Sequence, residues 1–371
     1  MPTQGVASAS GTERFRQRFA SCDPAHFRPL QDLWAPSIGL GTYLGDSDDR
    51  TDALYSDAIR AALAHGCNFI DTAINYRCQR SERTIGHTLA SLCHDGNLAR
   101  DEIILCTKGG YLAFDDSVPS DPGRYLVDTV ITPGLAPYEE IVAGCHCLNP
   151  AYLDAALSQS LANLRVQTID LYYLHNPEQQ LDDISRETLM ERLAAAFGLL
   201  EQRVQDGKIR YYGLATWNGF RCSPTAKHYL SVEVLVGLAE QIGGAAHHFR
   251  VIQLPYNLAM PEAYVFKNQT VRGEPMSTLQ AAQALGLSVM ISASLLQSRL
   301  TRLPSAVEQL IPGPFSPVQR AVQFVRSTPG VTTALVGMKQ PAHVEENLAL
   351  AQQPLLGAEP ISQLFDRGRR L

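Results

Sequence analysis

The chain has 371 residues, of which 45% are hydrophobic and 18% charged, and its formal net charge is −6. This length fits either two average domains or one large α/β barrel. The negative net charge argues against nonspecific binding to nucleic acid, because no basic excess is present to neutralise phosphates. We expect no membrane span, because no run of about 18 apolar residues occurs. The eight irregularly spaced cysteines and the lack of an apolar leader predict a cytoplasmic protein with reduced thiols.

Eight short apolar runs alternate with stretches of helical periodicity along most of the chain. The runs are 37–41, 68–71, 103–107, 170–175, 209–214, 251–256, 287–292 and 333–337. The intervening helical patterns are 52–65, 81–92, 150–164, 188–206, 277–285, 317–327 and 341–350. These runs are too apolar to show an alternation of apolar and polar residues, and each is followed by a helix. This pattern indicates a parallel sheet that is covered on both faces. Eight such units favour closure into a single (β/α)8 barrel.

The domain organisation follows from where this alternation begins and ends. We expect the barrel to cover residues 26–356, with a flexible N-terminal extension at 1–25 and a C-terminal tail at 357–371. Segment 26–41 has the pattern of a hairpin that plugs the barrel floor.

The third barrel strand is followed by an unusually long connection, 110–149. It contains four prolines, Pro119, Pro122, Pro133 and Pro137. Long connections in compact domains are usually functional, and this one follows a strand end that carries a lysine. We therefore expect it to shape a substrate pocket and to act as a lid.

Ionisable residues stand where three neighbouring strands end. Asp71 ends the second run, Lys108 follows the third, His175 ends the fourth, and Tyr76 comes shortly after Asp71. In (β/α)8 barrels the catalytic groups project from the carboxyl ends of the strands. The sequence therefore predicts that these four side chains meet at one rim.

The segment 66–76, GCNFIDTAINY, followed by Ser81, Glu82 and Gly86, resembles the signature of the aldo-keto reductase superfamily. Later blocks resemble the family in the same order: Thr107-Lys108, DLYYLH at 170–175, GKIRYYG at 207–213, and 336–337 with 346–347. The resemblance extends over residues 36–350. It implies hydride transfer between a nicotinamide and a small carbonyl or alcohol substrate.

The chemistry of the four residues fits this implication. Hydride addition places negative charge on the substrate oxygen, so a proton donor must stand beside it. A free tyrosine has a pKa near ~10, and a neighbouring Lys108 is expected to lower the pKa of Tyr76 while Asp71 orients the lysine. His175 is expected to position and polarise the carbonyl. The resemblance implies the same four roles.

The resemblance also implies NADP(H) as cofactor, with NAD(H) possible. Gln253 is expected to hold the nicotinamide amide. The family positions that contact the cofactor's pyrophosphate correspond to Ser294, Leu295 and Gln297. The positions that hold its adenosine phosphate correspond to Gly337 and Lys339. Glu346 and Asn347 match family positions that bind the adenine.

Two departures from the family pattern keep other functions open. Ala215-Thr216 replaces the family's usual Ser-Asn after strand five, and Ser292 stands where an aromatic residue usually stacks on the nicotinamide. One alternative is a cofactor-binding regulatory barrel subunit with little turnover. Another is a non-redox lyase or isomerase that uses Tyr76 and Lys108 as acid and base. The sequence leaves the substrate, the reaction direction and the oligomeric state open.

Cys145-His146-Cys147 is the one motif that points to a metal. It lacks the second ligand pair expected of a zinc site, so we expect no metal there.

Overall fold

The computed structural model describes residues 3–300 and 302–365. Its strands, in chain order, are β1 (Phe27–Leu30), β2 (Leu33–Pro36), β3 (Ile38–Gly41), β4 (Phe69–Asp71), β5 (Ile104–Gly109), β6 (Ile169–His175), β7 (Ile209–Ala215), β8 (Phe249–Pro255), β9 (Gln269–Val271), β10 (Glu274–Met276), β11 (Ser288–Ser292) and β12 (Thr333–Gly337). Strands β3 to β8, β11 and β12 close into one parallel barrel in the order β11-β12-β3-β4-β5-β6-β7-β8. The predicted (β/α)8 barrel is confirmed.

Helices cover the outside of the barrel and fill its connections. They are α1 (Ala9–Arg18), α2 (Asp49–Ala64), α3 (Arg80–His94), α4 (Pro122–Leu126), α5 (Pro150–Leu164), α6 (Arg186–Gln205), α7 (Val232–Gly243), α8 (Glu262–Val265), α9 (Thr278–Ala284), α10 (Ser305–Leu310), α11 (Pro317–Ser327), α12 (Pro341–Leu348) and α13 (Ala358–Gln363). None of these helices is long and apolar enough to cross a membrane.

Alternation along each strand divides the apolar core into an inner and an outer part. Successive strand residues point to opposite faces. Cys106 and Tyr173 belong to the cluster inside the barrel, whereas Leu105 belongs to the larger cluster beneath the helices. Lys108 lies two residues after Cys106, and His175 lies two residues after Tyr173. The period of two therefore directs both side chains to the inner face of the barrel, at its carboxyl rim.

The amino end of the barrel is closed by the antiparallel pair β1–β2. Leu30, Leu33 and Ala35 of this hairpin are buried in the inner cluster, together with Phe69 and Ile104 at the starts of their strands. The expectation of a hairpin that plugs the floor is correct for residues 27–36, whereas 38–41 of the expected segment form the barrel strand β3.

The N-terminal segment differs from the flexible extension expected at 1–25. Helix α1 starts at the Ser8 cap, whose hydroxyl oxygen accepts a hydrogen bond from the Gly11 amide. Phe15 is buried, and the Ala7 amide donates to Asp170 at 2.7 Å. One buried aromatic residue and a buried carboxylate partner thus order a segment whose composition is small and polar.

The C-terminal tail expected at 357–371 begins with helix α13, which buries Ile361, and Leu364 is buried just beyond it. These two side chains pack against the outer core. Residues 366–371, which include the arginine-rich end of the tail, lie outside the described residues.

The long connection 110–149 folds onto the side of the barrel. Leu126 and Val130 form a separate apolar cluster with Ile74 of the β4–α3 connection and Tyr152 of α5. Of this connection, only Tyr111 borders the cavity at the catalytic rim. Most of the segment expected to act as a lid therefore lies against α5.

Candidate active site

Asp71, Tyr76 and Lys108 meet at the carboxyl rim as predicted from the strand ends. The Lys108 ammonium donates to Asp71 Oδ2 and to the Thr72 carbonyl, both at 2.7 Å, and reaches the Tyr76 hydroxyl at 3.4 Å. The lysine is buried, with a side-chain exposure of 0%. The ammonium is therefore held between a carboxylate and a phenol, with two firm contacts and one longer one.

Electrostatics at this pair act in opposite directions. Burial raises the pKa of Tyr76, and the Lys108 charge pulls it down, with a net value above the ordinary one. This corrects the expectation of a lowered pKa, because loss of hydration disfavours the phenolate more than the lysine favours it. Burial also opposes the charge of Lys108, but Asp71 and Tyr76 together outweigh burial, and the pKa of Lys108 lies above its usual value. In this arrangement Tyr76 is a protonated phenol beside a charged lysine.

His175 faces Tyr76 across the same rim. The two rings lie 5.9 Å apart edge to face, and Tyr111 packs on the other side of the imidazole at 4.9 Å. Burial, reinforced by the Lys108 charge, holds the pKa of His175 well below its usual value. The ring is therefore neutral at physiological pH, and one of its nitrogens carries a proton.

Asp71, Tyr76 and His175 border a cavity of about 320 Å³ that opens above the barrel, and Lys108 is buried beneath them. Gln253 lies on its wall and donates to Asp71 Oδ1 at 2.8 Å. Ala215, Thr216 and Ser292, the positions that depart from the family pattern, border the same cavity. We call Asp71, Tyr76, Lys108 and His175 the tetrad. The three departures from the family pattern therefore lie where they would contact a nicotinamide ring bound next to the tetrad.

The other residues expected to bind cofactor lie in two places. Leu295, Gln297 and Gly337 border the cavity. Ser294 is buried behind it, and its hydroxyl has no hydrogen-bond partner among the described residues. Lys339, Glu346 and Asn347 follow β12 and lie outside the cavity wall.

Lys339, Glu346 and Asn347 differ in whether their polar groups already have hydrogen-bond partners within the protein. Glu346 Oε1 accepts from the Ser316 hydroxyl at 2.6 Å, so one carboxylate oxygen is already engaged. Asn347 is buried and its Oδ1 atom has no partner in the described part of the chain. Lys339 is half-buried. Its ammonium and the Asn347 oxygen are the groups with capacity for a ligand.

Among the cavity residues that were not predicted from the sequence are Tyr43, Tyr111, Asn176 and Trp217. Tyr43 and Trp217 stand two residues past the ends of β3 and β7. Reading every strand end, and not only those of the second to fourth strands, finds both. Tyr111 likewise stands two residues past the end of β5, and Asn176 directly follows the end of β6, so the same signal marks both.

The Cys145-His146-Cys147 motif does not form a metal centre in this structure. His146 is buried, and its ring nitrogens are bonded to the His175 carbonyl and the Gln180 amide. Within residues 3–300 and 302–365, no group of three or more His, Cys, Asp or Glu side chains is arranged to hold a metal.

Comparison with known proteins identifies the family. The sequence profile of the aldo/keto reductase family matches residues 37–224. The chain belongs to this family. The Bacillus subtilis oxidoreductase YqkF is 24% identical to this aldo/keto reductase over 342 residues, covering 90% of this chain and 92% of YqkF.

Two further relatives show how far the similarity extends. Aldo-keto reductase yakc of Schizosaccharomyces pombe, named for NADP(+), is 31% identical over 197 residues, which are 51% of this chain and 44% of that protein. The crystal structure of a Klebsiella pneumoniae aldo/keto reductase in complex with NADP and acetate superposes with a TM-score of 0.61 at 22% identity. It covers 92% of this chain and 96% of the Klebsiella chain. The barrel fold of this family member is thus shared over nearly its full length.

Proposed function

We propose that this protein is an NADP(H)-dependent reductase of an aldehyde or ketone, or the corresponding alcohol dehydrogenase in reverse. The observation that carries the proposal is the contact of buried Lys108 with the hydroxyl of Tyr76, which borders the cavity together with His175. A phenol and a neutral imidazole that border an open cavity, with a lysine behind the phenol, are the groups that carbonyl reduction needs.

The roles follow from the protonation states. A nicotinamide held at this rim would supply a hydride to the carbonyl carbon. Tyr76 donates its phenolic proton to the carbonyl oxygen, and Lys108 stabilises the phenolate that remains. His175, neutral because its pKa is lowered, donates a hydrogen bond to the same oxygen without competing as an acid. Asp71 keeps Lys108 charged and in place.

The described residues fit a nicotinamide dinucleotide at this rim. Thr216 Oγ1, Ser294 Oγ and Asn347 Oδ1 are buried without hydrogen-bond partners, and unpaired buried polar atoms are costly unless a ligand satisfies them. Thr216 and Gln253 border the cavity next to the tetrad, where the nicotinamide amide would be bound. Ser294 and Gln297 would then contact the pyrophosphate, and Asn347 the adenine.

Preference for NADP(H) over NAD(H) depends on Lys339 in this proposal. Its ammonium has no ion-pair partner in the described part of the chain, so it is available to a 2′-phosphate as a point charge. The NADP-named relative and the NADP-bound structural neighbour support the same choice of cofactor.

The test is to incubate purified protein with NADPH and a panel of aldehydes and ketones while the near-ultraviolet absorbance of the reduced nicotinamide is followed. Steady, substrate-dependent loss of absorbance with formation of the matching alcohol is expected. Tight NADPH binding without turnover on any carbonyl would instead identify a regulatory barrel. Conversion of substrate without cofactor consumption would identify a lyase or isomerase.

A further inference from the structure

The two ends of the long connection 110–149 are joined beside the catalytic rim. Tyr111 and His146 form an antiparallel bridge. The Leu112 amide donates to the Cys145 carbonyl at 2.7 Å, and the Cys147 amide donates to the Gly110 carbonyl at 2.8 Å. We call this short ladder, 110–112 with 145–147, the neck. It follows β5, whose penultimate residue is Lys108, and it contacts the end of β6, which carries His175.

The protonation of His146 in the neck is fixed by its neighbours. The Gln180 carboxamide oxygen accepts from Arg192, which turns its nitrogen toward His146. That nitrogen lies 2.9 Å from His146 Nδ1 and can only donate, so Nδ1 accepts and the proton sits on Nε2. His146 Nε2 then donates to the backbone carbonyl of His175 at 2.7 Å.

Burial supports this assignment, because His146 is fully enclosed with an exposure of 0%. Loss of hydration lowers the pKa of His146 to about 4. The ring is therefore neutral near pH 7 and keeps a single proton, the one on Nε2. The donor to the His175 carbonyl is present over the whole physiological range.

Tyr111, the partner of His146 in the neck, holds the His175 ring. Its own ring packs edge to face on both imidazoles, with centroids 4.9 Å from His175 and 5.1 Å from His146. Its hydroxyl accepts from Asn176 Nδ2 at 3.0 Å. The backbone carbonyl and the ring of His175 are thus each held by one residue of the neck.

We propose that His146 is a positioning residue that holds His175 against the cavity by donating to its backbone carbonyl, with Tyr111 fixing the ring. The inference rests on the proposed function, since His175 matters there as the hydrogen-bond donor to the substrate oxygen. It gives the Cys-His-Cys motif a role that does not involve a metal. It also gives the inserted connection a role at its neck that does not require a lid.

The test compares two substitutions at the same position. His146→Leu fills similar space but removes the donor, whereas the amide nitrogen of His146→Gln can replace Nε2. We expect His146→Leu to lower kcat by about 10- to 100-fold, since small displacements of a catalytic group have effects of this size. The KM and the NADPH dissociation constant should change little, and His146→Gln should recover most of the loss. Equal kcat losses in both variants, or a loss appearing only in KM, would overturn the proposal.

A second measurement does not depend on turnover. Nitrogen-15 NMR of the imidazoles should show wild-type His146 as the neutral tautomer protonated on Nε2, and should show the His175 signals shifted or broadened in His146→Leu but not in His146→Gln. Gln180→Met, which keeps His146 but frees its tautomer, should give an intermediate change and covers the case in which His146→Leu does not fold. Unperturbed His175 signals in all three variants would refute positioning. Absence of turnover in the wild type with every carbonyl would refute the proposed function alone.

Discussion

Among the described residues, two ion pairs have both side chains buried, and the two are built differently. At the amino end, Arg100 donates to Asp170 at 2.8 Å and to the carbonyls of Ile103 and Thr168, and Asp170 also accepts from the Ala7 and Leu105 amides. At the carboxyl end, Lys108 donates to Asp71 and a carbonyl but reaches the Tyr76 hydroxyl only at 3.4 Å.

The difference between the two pairs indicates that one buried charge has a structural role and the other a chemical role. The guanidinium of Arg100 is permanently charged and ties backbone groups of separate segments together. The ammonium of Lys108 is a compact charge, and its longest contact is with Tyr76, the group that loses its proton in the proposed reaction. We infer that the pair at the floor stabilises the fold and that the pair at the rim serves the reaction.

The largest expected effect is on turnover when the rim pair is broken. Lys108→Met removes the charge that stabilises the Tyr76 phenolate, so kcat should fall by about 10²- to 10⁴-fold, the range of general acid catalysis. The Asp71 carboxylate keeps its bond to Gln253 and borders the cavity, so the protein should remain folded. Steady-state kinetics together with a thermal melt measure both quantities, and wild-type turnover in the variant would contradict the chemical role.

The matched substitution at the floor, Arg100→Met, should have the opposite profile. It leaves Asp170 buried without its counter-charge, and breaking such a pair costs about 3–5 kcal/mol of unfolding free energy. The kcat of the folded fraction should stay at the wild-type level. Denaturant unfolding and kinetics below the transition test this expectation. A loss of turnover without a loss of stability would contradict the proposal that the ion pair at the floor serves only the stability of the fold.

A smaller effect is expected at the departure from the family pattern. Thr216→Val removes the hydroxyl but preserves the shape, and a single hydrogen bond contributes about 0.5–1.5 kcal/mol, or up to roughly tenfold in affinity. The NADPH dissociation constant should rise within that range, whereas Thr216→Ser should bind like the wild type. Isothermal titration with NADPH distinguishes the two, and equal affinities would remove Thr216 from the cofactor site.

The smallest effect is expected at Lys339, which is half-buried. Partly exposed charge pairs contribute about 0–1 kcal/mol, so Lys339→Ala should weaken NADPH binding only a few-fold and leave NADH binding unchanged. Dissociation constants for both cofactors in both proteins decide the matter. Equal affinities for the two cofactors, untouched by the substitution, would leave the phosphate site without support.

Local signals in the sequence predicted the fold well because they act over short distances. Asn149 caps α5 ahead of Pro150, and its side chain accepts from the Ala151 amide at 2.8 Å. Gly66 and Gly207 adopt the positive φ expected just past the ends of α2 and α6. The three strand-end residues of the tetrad follow from the period of two along β4, β5 and β6.

Features that depend on distant partners were not predicted. His247 and His248 have the sequence pattern of an exposed loop pair, yet His247 is buried and His248 Nδ1 donates to the Glu201 carboxylate at 2.7 Å. The neck likewise depends on Tyr111 and His146 meeting across the long connection. A single sequence gives the identity of such residues but not the contacts that determine their roles.

Tyr76→Phe gives the most direct test of the central claim, that the rim is organised around a tyrosine proton donor. The measurement is the single-turnover rate of hydride transfer from bound NADPH to a carbonyl that the wild-type protein reduces. The rate in the variant should be about 10²- to 10⁴-fold lower than in the wild type, with an unchanged NADPH dissociation constant. A variant that retains most of the wild-type rate would contradict the central claim.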